Sequence, residues 1–340
     1  MSRRLWIGSI FIFALTGVIG WKIAAILLVP QSRDAAIPAS ASFAETVEPI
    51  SPIPESVSLD PRKVSLGSRL FDDPRLSGDN SVACATCHVL SKGGTDGLKR
   101  SIGIRAQTGE INAPTVFNSG FNFRQFWNGR AASLEDQIDG PVQHTKEMGS
   151  AWPATIARLS LDAYYKSEFA KIYPDGIQPA SVKDAIATFE RSLITPNSRF
   201  DRYLKGERSA VTREETDGYQ RFKSYGCVAC HQGVNVGGNM FERLGVMGDY
   251  FKDRGNITPA DLGRFSVTGI ESDTHVFKVP GLRNVALTAP YFHDGSATTL
   301  EQAVVIMGKY QLGIGIPADD VALIVKFLRT LTGEYNGKPL

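Results

Sequence analysis

Cys84-Ala85-Thr86-Cys87-His88 and Cys227-Val228-Ala229-Cys230-His231 decide how this chain is read. Together they use all four cysteines and two of the five histidines. C-x-x-C-H is the attachment pattern of c-type haem. Residues i and i+3 of one helical turn share a face, so both sulfurs can bond the two vinyl groups of one porphyrin. The adjacent histidine then reaches the iron as its proximal ligand. A lone C-x-x-C would also suit a redox disulfide, a structural thiol pair or a zinc site. Pooling both motifs would build a four-ligand zinc site but leaves the paired histidines unexplained. The expectation is two covalently bound haem c groups.

The rest of the composition is that of a globular chain. Of 340 residues, 42% are hydrophobic and 21% charged, which suggests about two or three domains. Net charge is +2, and Met1–Pro30 holds three of the cations (Arg3, Arg4, Lys22), which leaves −1 on the remainder. So neutral a body gives no electrostatic case for nucleic acid. Arg3 and Arg4 precede an apolar run, Leu5 to Trp21, then Lys22 and Ile23–Val29. Residues 1–30 are therefore read as a membrane anchor or signal segment, its positive end cytoplasmic and the chain beyond it exported. The run approaches the ~20 residues that span a bilayer, which favours an uncleaved inner-membrane anchor. Ala39-Ser40-Ala41 is the rival cleavage site. Either way the bulk of the chain is expected in the periplasm.

Residues 31–58 are rich in Ala, Ser and Pro and read as a flexible tether. Val64, Leu66, Leu70 and Phe71 predict a short helix before Asp72-Asp73-Pro74. Helices are expected from Leu134 (capped by Ser133) to Ile138, over Trp152–Leu159, Asp162–Ile172 and Ser181–Leu193, and over Thr212–Tyr225, Thr299–Met307 and Asp319–Leu331. Gly245–Ser272 is polar and poorly periodic and reads as surface loops. Gly93-Gly94 follows the first motif and Gly237-Gly238 the second, the weak internal symmetry of a duplicated domain. No alternating run is long enough to argue a sheet. The expected fold is all-α: two cytochrome c-like haem domains, 59–206 and 207–335, preceded by an N-terminal hydrophobic helix.

The group facing each proximal histidine decides the chemistry. A haem with two strong axial ligands shuttles electrons, whereas an open position binds peroxide or oxygen. Met307 is the candidate thioether opposite His231, with a core methionine as the competing reading. Downstream of His88 only His144 and Met148 offer themselves, neither in a decisive context.

A longer series of motifs carries a family resemblance: Phe71-Asp72-Asp73-Pro74-Arg75-Leu76, Gly93-Gly94-Thr95-Asp96, Asn112-Ala113-Pro114-Thr115, Phe126-Trp127-Asn128-Gly129-Arg130, Leu193-Ile194-Thr195-Pro196 and Leu282 to His293. From about Leu66 to Thr332 the chain resembles bacterial dihaem cytochrome c peroxidases, the group that includes the MauG-type enzymes. The resemblance implies a peroxide-reactive haem on His88 and a high-potential haem on His231 and Met307. It implies Glu147 and Gln137 as the distal acid–base and hydrogen-bonding residues, and Trp127 as the tryptophan between the haems. It also implies calcium on Asn112 and the carbonyls of Thr288 and Pro290, an oxygen-only set that suits that ion. Hydrogen peroxide as substrate, a small cytochrome c or cupredoxin as electron donor, and a homodimer follow from the same source.

The chemistry of the residues agrees. Breaking the O–O bond of peroxide needs a group that lifts a proton from one oxygen and delivers it to the other. A carboxylate whose pKa is raised towards neutrality does this, and a glutamine donates to bound oxygen without ever being charged.

One departure stands out. Many relatives carry a histidine after Ser-Ile/Val-Gly that closes the first iron until the other haem is reduced. Here the segment reads Ser101-Ile102-Gly103-Ile104, and isoleucine cannot bind iron. The first haem is therefore expected to be open without reductive activation, with His144 as the rival source of a nitrogen ligand. The competing functions are a MauG-like oxidase of protein tryptophan, which Met307 opposes because that branch has tyrosine there, and a non-enzymatic dihaem electron-transfer protein.

Overall fold

The computed structural model describes residues 48–340. The hydrophobic helix read over 1–30 and most of the tether lie outside the described residues. Among those described, no helix is long and apolar enough to cross a membrane.

The described residues build two large hydrophobic cores in succession and a smaller cluster of Tyr250, Phe251, Phe277 and Tyr310. The first is enclosed by α1 (Pro61–Phe71), α2 (Cys84–Cys87), α3 (Leu134–Gln143), α4 (Trp152–Leu159), α5 (Ala163–Ile172) and α6 (Pro179–Ser192). Its centre is the α1–α6 pair, where the Phe71 and Phe189 rings meet edge to face at 5.3 Å. The second is enclosed by α7 (Arg199–Leu204), α8 (Arg213–Ser224), α11 (Leu300–Ile306) and α12 (Ala318–Arg329). Here Phe200 and Phe327 meet edge to face at 5.0 Å. Between them in sequence come two short helices, α9 (Tyr250–Arg254) and α10 (Phe265–Thr268).

Each core closes on a glycine. Gly67 of α1 lies against the Ala185 carbonyl of α6, and Gly218 of α8 lies against the Leu323 carbonyl of α12. A Cβ at either position would collide with backbone, so each helix pair approaches more closely than side chains permit. Each of these helices then leads into a C-x-x-C-H motif.

The cap read at Ser133 holds, and the structure adds one at Thr212. Ser133 Oγ accepts the Asp136 amide at 3.1 Å, and Thr212 Oγ1 accepts the Glu215 amide at 3.3 Å. Helix α3 runs on past Ile138 to Gln143 with Pro141 inside it. Helix α6 starts at Pro179, and Ser181 serves it by accepting the Gln178 amide at 2.9 Å.

The fold is helix-rich rather than all-α. β1 (Phe241–Arg243) pairs antiparallel with β2 (Val276–Lys278), with Phe241 opposite Lys278. β3 (Glu334–Tyr335) pairs with β4 (Lys338–Pro339). Ladders of two or three residues are too short to leave an alternating pattern in sequence. Two further expectations change. The stretch read as tether is anchored at its described end: Ile50 and Ile53 are each 1% exposed, and Tyr219 donates to Glu48 at 2.5 Å. Gly245–Ser272, read as surface loops, contains α9 and buries Tyr250, Phe251 and Asp261.

Several motif residues turn out to be structural. Asn118 Nδ2 donates to Thr195 Oγ1 at 2.7 Å and Asn284 Nδ2 to the same oxygen at 3.0 Å, a buried knot joining both halves of the chain. Arg283, 1% exposed, pairs with the fully buried Asp201 at 2.7 Å and donates to the carbonyls of Ser51 and Val234. A buried charge needs that degree of satisfaction.

Candidate active site

The first motif forms a single helical turn, with the His88 amide bonded to the Cys84 carbonyl at 3.0 Å. Gly93 and Gly94 follow with φ of +72° and +78°, a backbone conformation glycine adopts without penalty. The turn they make carries the Gly94 carbonyl back to 3.2 Å from His88 Nδ1. A proton on Nδ1 donated there leaves Nε2 with its lone pair free, the arrangement that outer-shell partners impose on ligating histidines. Burial lowers the His88 pKa and keeps the ring neutral.

The second motif repeats the device. His231 bonds the Cys227 carbonyl at 2.9 Å through its amide, and its Nδ1 lies 3.3 Å from the Val236 carbonyl. Val236 has φ +52° and is followed by Gly237 and Gly238, both also left-handed. Burial pushes the His231 pKa down to about 4. None of the four cysteines is joined in a disulfide. Cys84 packs on the first core and Cys227 on the second, so the motifs do not pool into one zinc site. Two cysteines on one turn, with a buried neutral imidazole beside them, are the donor set that covalent haem requires.

His231 and Met307 line one cavity, walled by apolar groups such as Phe222, Val304, Ile324 and Leu328. Met307 stands where α11 gives way to a turn of π-helix, Met307–Gln311. Trp127, Asn112, Thr288 and Pro290 line the same cavity. Trp127 Nε1 donates to the Asn112 carbonyl at 3.0 Å, and the Trp127 ring meets His293 edge-on at 6.3 Å.

Behind Trp127 is a cluster that sequence reasoning missed. His293 Nε2 lies 2.7 Å from Asp261 Oδ1, and Arg254 pairs with Asp261 at 2.7 Å and with Asp294 at 2.6 Å. His293 was visible at the end of a motif, but Asp261 lay in the stretch read as surface loop.

Helix α3 buries Leu134, Ile138 and Val142 and leaves Gln137 half-buried. Glu147 follows in the turn after the helix. Its side chain is 42% exposed, with Oε1 3.6 Å from His144 Nδ1. Desolvation of its packed side is the largest influence on it and raises its pKa, against the opposing pull of His144 and Arg130. His144 Nδ1 also accepts the Lys146 amide at 3.3 Å. The Glu147 carbonyl accepts the Ile104 amide at 2.8 Å, and Ile104, 4% exposed, packs in the first core with Met148. Met148 is thus a core side chain.

The di-haem cytochrome c peroxidase family matches residues 61–209 of the chain. Cytochrome c551 peroxidase of Nitrosomonas europaea is 46% identical over 297 residues, covering 87% of each protein. The chain belongs to this family. Cytochrome c peroxidase Ccp of Escherichia coli is 50% identical over 290 residues, which are 85% of this chain and 62% of that protein; the chain thus spans less than two thirds of that relative. The crystal structure of a MauG-like protein associated with microbial copper homeostasis superposes with a TM-score of 0.73 at 30% identity, covering 86% of this chain and 95% of the other. Membership of a di-haem family implies two haem c groups, and the two C-x-x-C-H turns are the residues that would hold them.

Proposed function

We propose that this chain is a peroxidase that reduces hydrogen peroxide to water, H2O2 + 2 e− + 2 H+ → 2 H2O. The electrons come singly from a small c-type cytochrome or copper protein. Cys84, Cys87 and His88 would hold the first haem, and Cys227, Cys230, His231 and Met307 the second. When bound, the haems supply the electrons and an iron at which peroxide is cleaved.

The work of the protein is positional and protonic. Glu147 in its ionised form takes the proton from one peroxide oxygen and gives it to the departing one, helped by the raised pKa that burial confers. Gln137 donates from a half-buried amide. Trp127, fixed by its bond to the Asn112 carbonyl, relays electrons from the second site to the first.

The observation that carries this reading is the inequality of the two histidines. Met307 lines the cavity of His231, whereas the segment beside Glu147 presents Ile104, packed in the core and devoid of any donor atom. The first site then stays open in the fully oxidised protein and needs no reductive activation. Peroxide turnover with a reduced c-type donor tests this: protein as isolated and protein half-reduced beforehand should react from the first turnover at equal rates. A lag only in the oxidised sample contradicts it.

The surroundings complete the proposal. Asn112, 5% exposed, with the Thr288 and Pro290 carbonyls, is an oxygen set for calcium. Residues 1–30 hold the protein at the inner membrane with its haems in the periplasm, as a homodimer. The MauG-like alternative has a relative in its favour and Met307 against it.

A further inference from the structure

Three cations line the cavity that holds His231 and Met307: Arg243, Arg283 and Lys278. Arg283 is committed to Asp201 at 2.7 Å. Arg243 donates to the Ser272 carbonyl at 3.0 Å from a half-exposed position. Lys278 differs from both. It is 8% exposed, and among the described residues no carboxylate reaches its ammonium group. Its backbone is fixed by the β1–β2 ladder and by its N–H, which donates to the Trp127 carbonyl at 2.8 Å. The one carboxylate of the cavity wall, Glu242, stands opposite Phe277 in the ladder rather than opposite Lys278. Desolvation is the sole influence on Lys278 and lowers its pKa to about 8.

A desolvated ammonium without counter-charge is costly, and proteins retain one where an anion arrives to meet it. Haem c brings two anionic groups, its propionate carboxylates, and no others. We propose that Lys278 is the charge partner of a propionate of the haem held in the second cavity. The inference rests on reading that cavity as a haem site. Its physical consequence concerns the redox balance. A positive charge held near the porphyrin in a medium of low dielectric disfavours the extra charge of the oxidised iron. Lys278 therefore raises the potential of the second haem and adds to the effect of Met307, making that haem the one that accepts electrons from a donor.

The test uses the holoprotein and two variants, Lys278→Met, which keeps length and apolar stem, and Lys278→Arg, which keeps the charge. Haem content is read first, by the pyridine haemochrome, and the potential of the second haem next, by spectroelectrochemistry. The expected result is two haems per chain throughout, with the reduction equilibrium of the second haem moved about tenfold towards the oxidised form in Lys278→Met, equivalent to 59 mV for one electron. Lys278→Arg should lie within about twofold of the parent. An unchanged potential in Lys278→Met overturns the pairing while leaving the haem reading intact. Loss of the second haem from Lys278→Met alone supports the pairing, since the charge rescues loading. Loss from both variants overturns it. A parent protein that holds no haem on Cys227 and Cys230 removes the underlying reading itself.

Discussion

The Nδ1 atom of His88 lies 3.2 Å from the carbonyl oxygen of Gly94. The first Gly-Gly turn is therefore part of the ligand-presenting apparatus, and the second repeats it through Val236 and His231. A Cβ on Gly94 would stand 2.7 Å from Thr115 Oγ1 and 2.9 Å from Phe117 Cδ2, on a backbone with φ +78°. Gly94→Ala is expected to cost about 1–3 kcal/mol in stability and to tilt the His88 ring. Thermal unfolding of the holoprotein, together with the absorption of the first haem, checks both.

Glu147→Gln keeps the shape of the side chain and removes its proton transfer. Peroxide turnover should fall by about 10²–10⁴. In the proposed role the ionised carboxylate is the competent form, and burial raises its pKa. The parent's kcat/KM should therefore rise with pH as Glu147 loses its proton, and that limb should vanish from the variant. Full activity in Glu147→Gln would remove the residue from the mechanism.

Glu190 of α6 is 6% exposed, and its Oε2 has no hydrogen-bond partner. Burial pushes its pKa up to about 8 from 4.5. The folded protein thus binds more protons than the unfolded chain between those values. The contribution of this group is fully present below about pH 4.5 and is lost as pH rises through about 8. Glu190→Gln should flatten the stability profile across that window and be the more stable protein at its alkaline end. Denaturant midpoints at pH 5 and pH 9, compared with the parent, decide it.

Asp261 is fully buried and holds both Arg254 and His293. Removing its charge strands the guanidinium, so Asp261→Asn should cost about 3–5 kcal/mol. Because His293 packs against Trp127, the variant should also change tryptophan fluorescence. Urea unfolding followed by that emission reads both effects.

How much of this was legible beforehand depended on range. The C-x-x-C-H turns, the Ser133 cap and the α12 stripe are local patterns, and each appears in the fold as a local element. The packing of Ile50 and Ile53 was not legible, because it is made by partners far away in sequence, Gly233 and Asp201 among them. Tyr250, Phe251 and Asp261 were lost in a polar stretch for the same reason: their distant partners are Tyr310, His275 and His293. The Gly-Gly repeat was visible as symmetry, but its purpose needed the φ angles. Lys278 carries no signal in the sequence, because its burial is known only from its surroundings.

The central claim is that the two histidines serve unequal sites, one completed by Met307 and one left open beside Glu147. Electron paramagnetic resonance of the fully oxidised holoprotein, as isolated, tests it most directly. The account predicts one high-spin ferric signal from the first haem and one low-spin signal from the second. Two low-spin signals, with no high-spin iron, would contradict it.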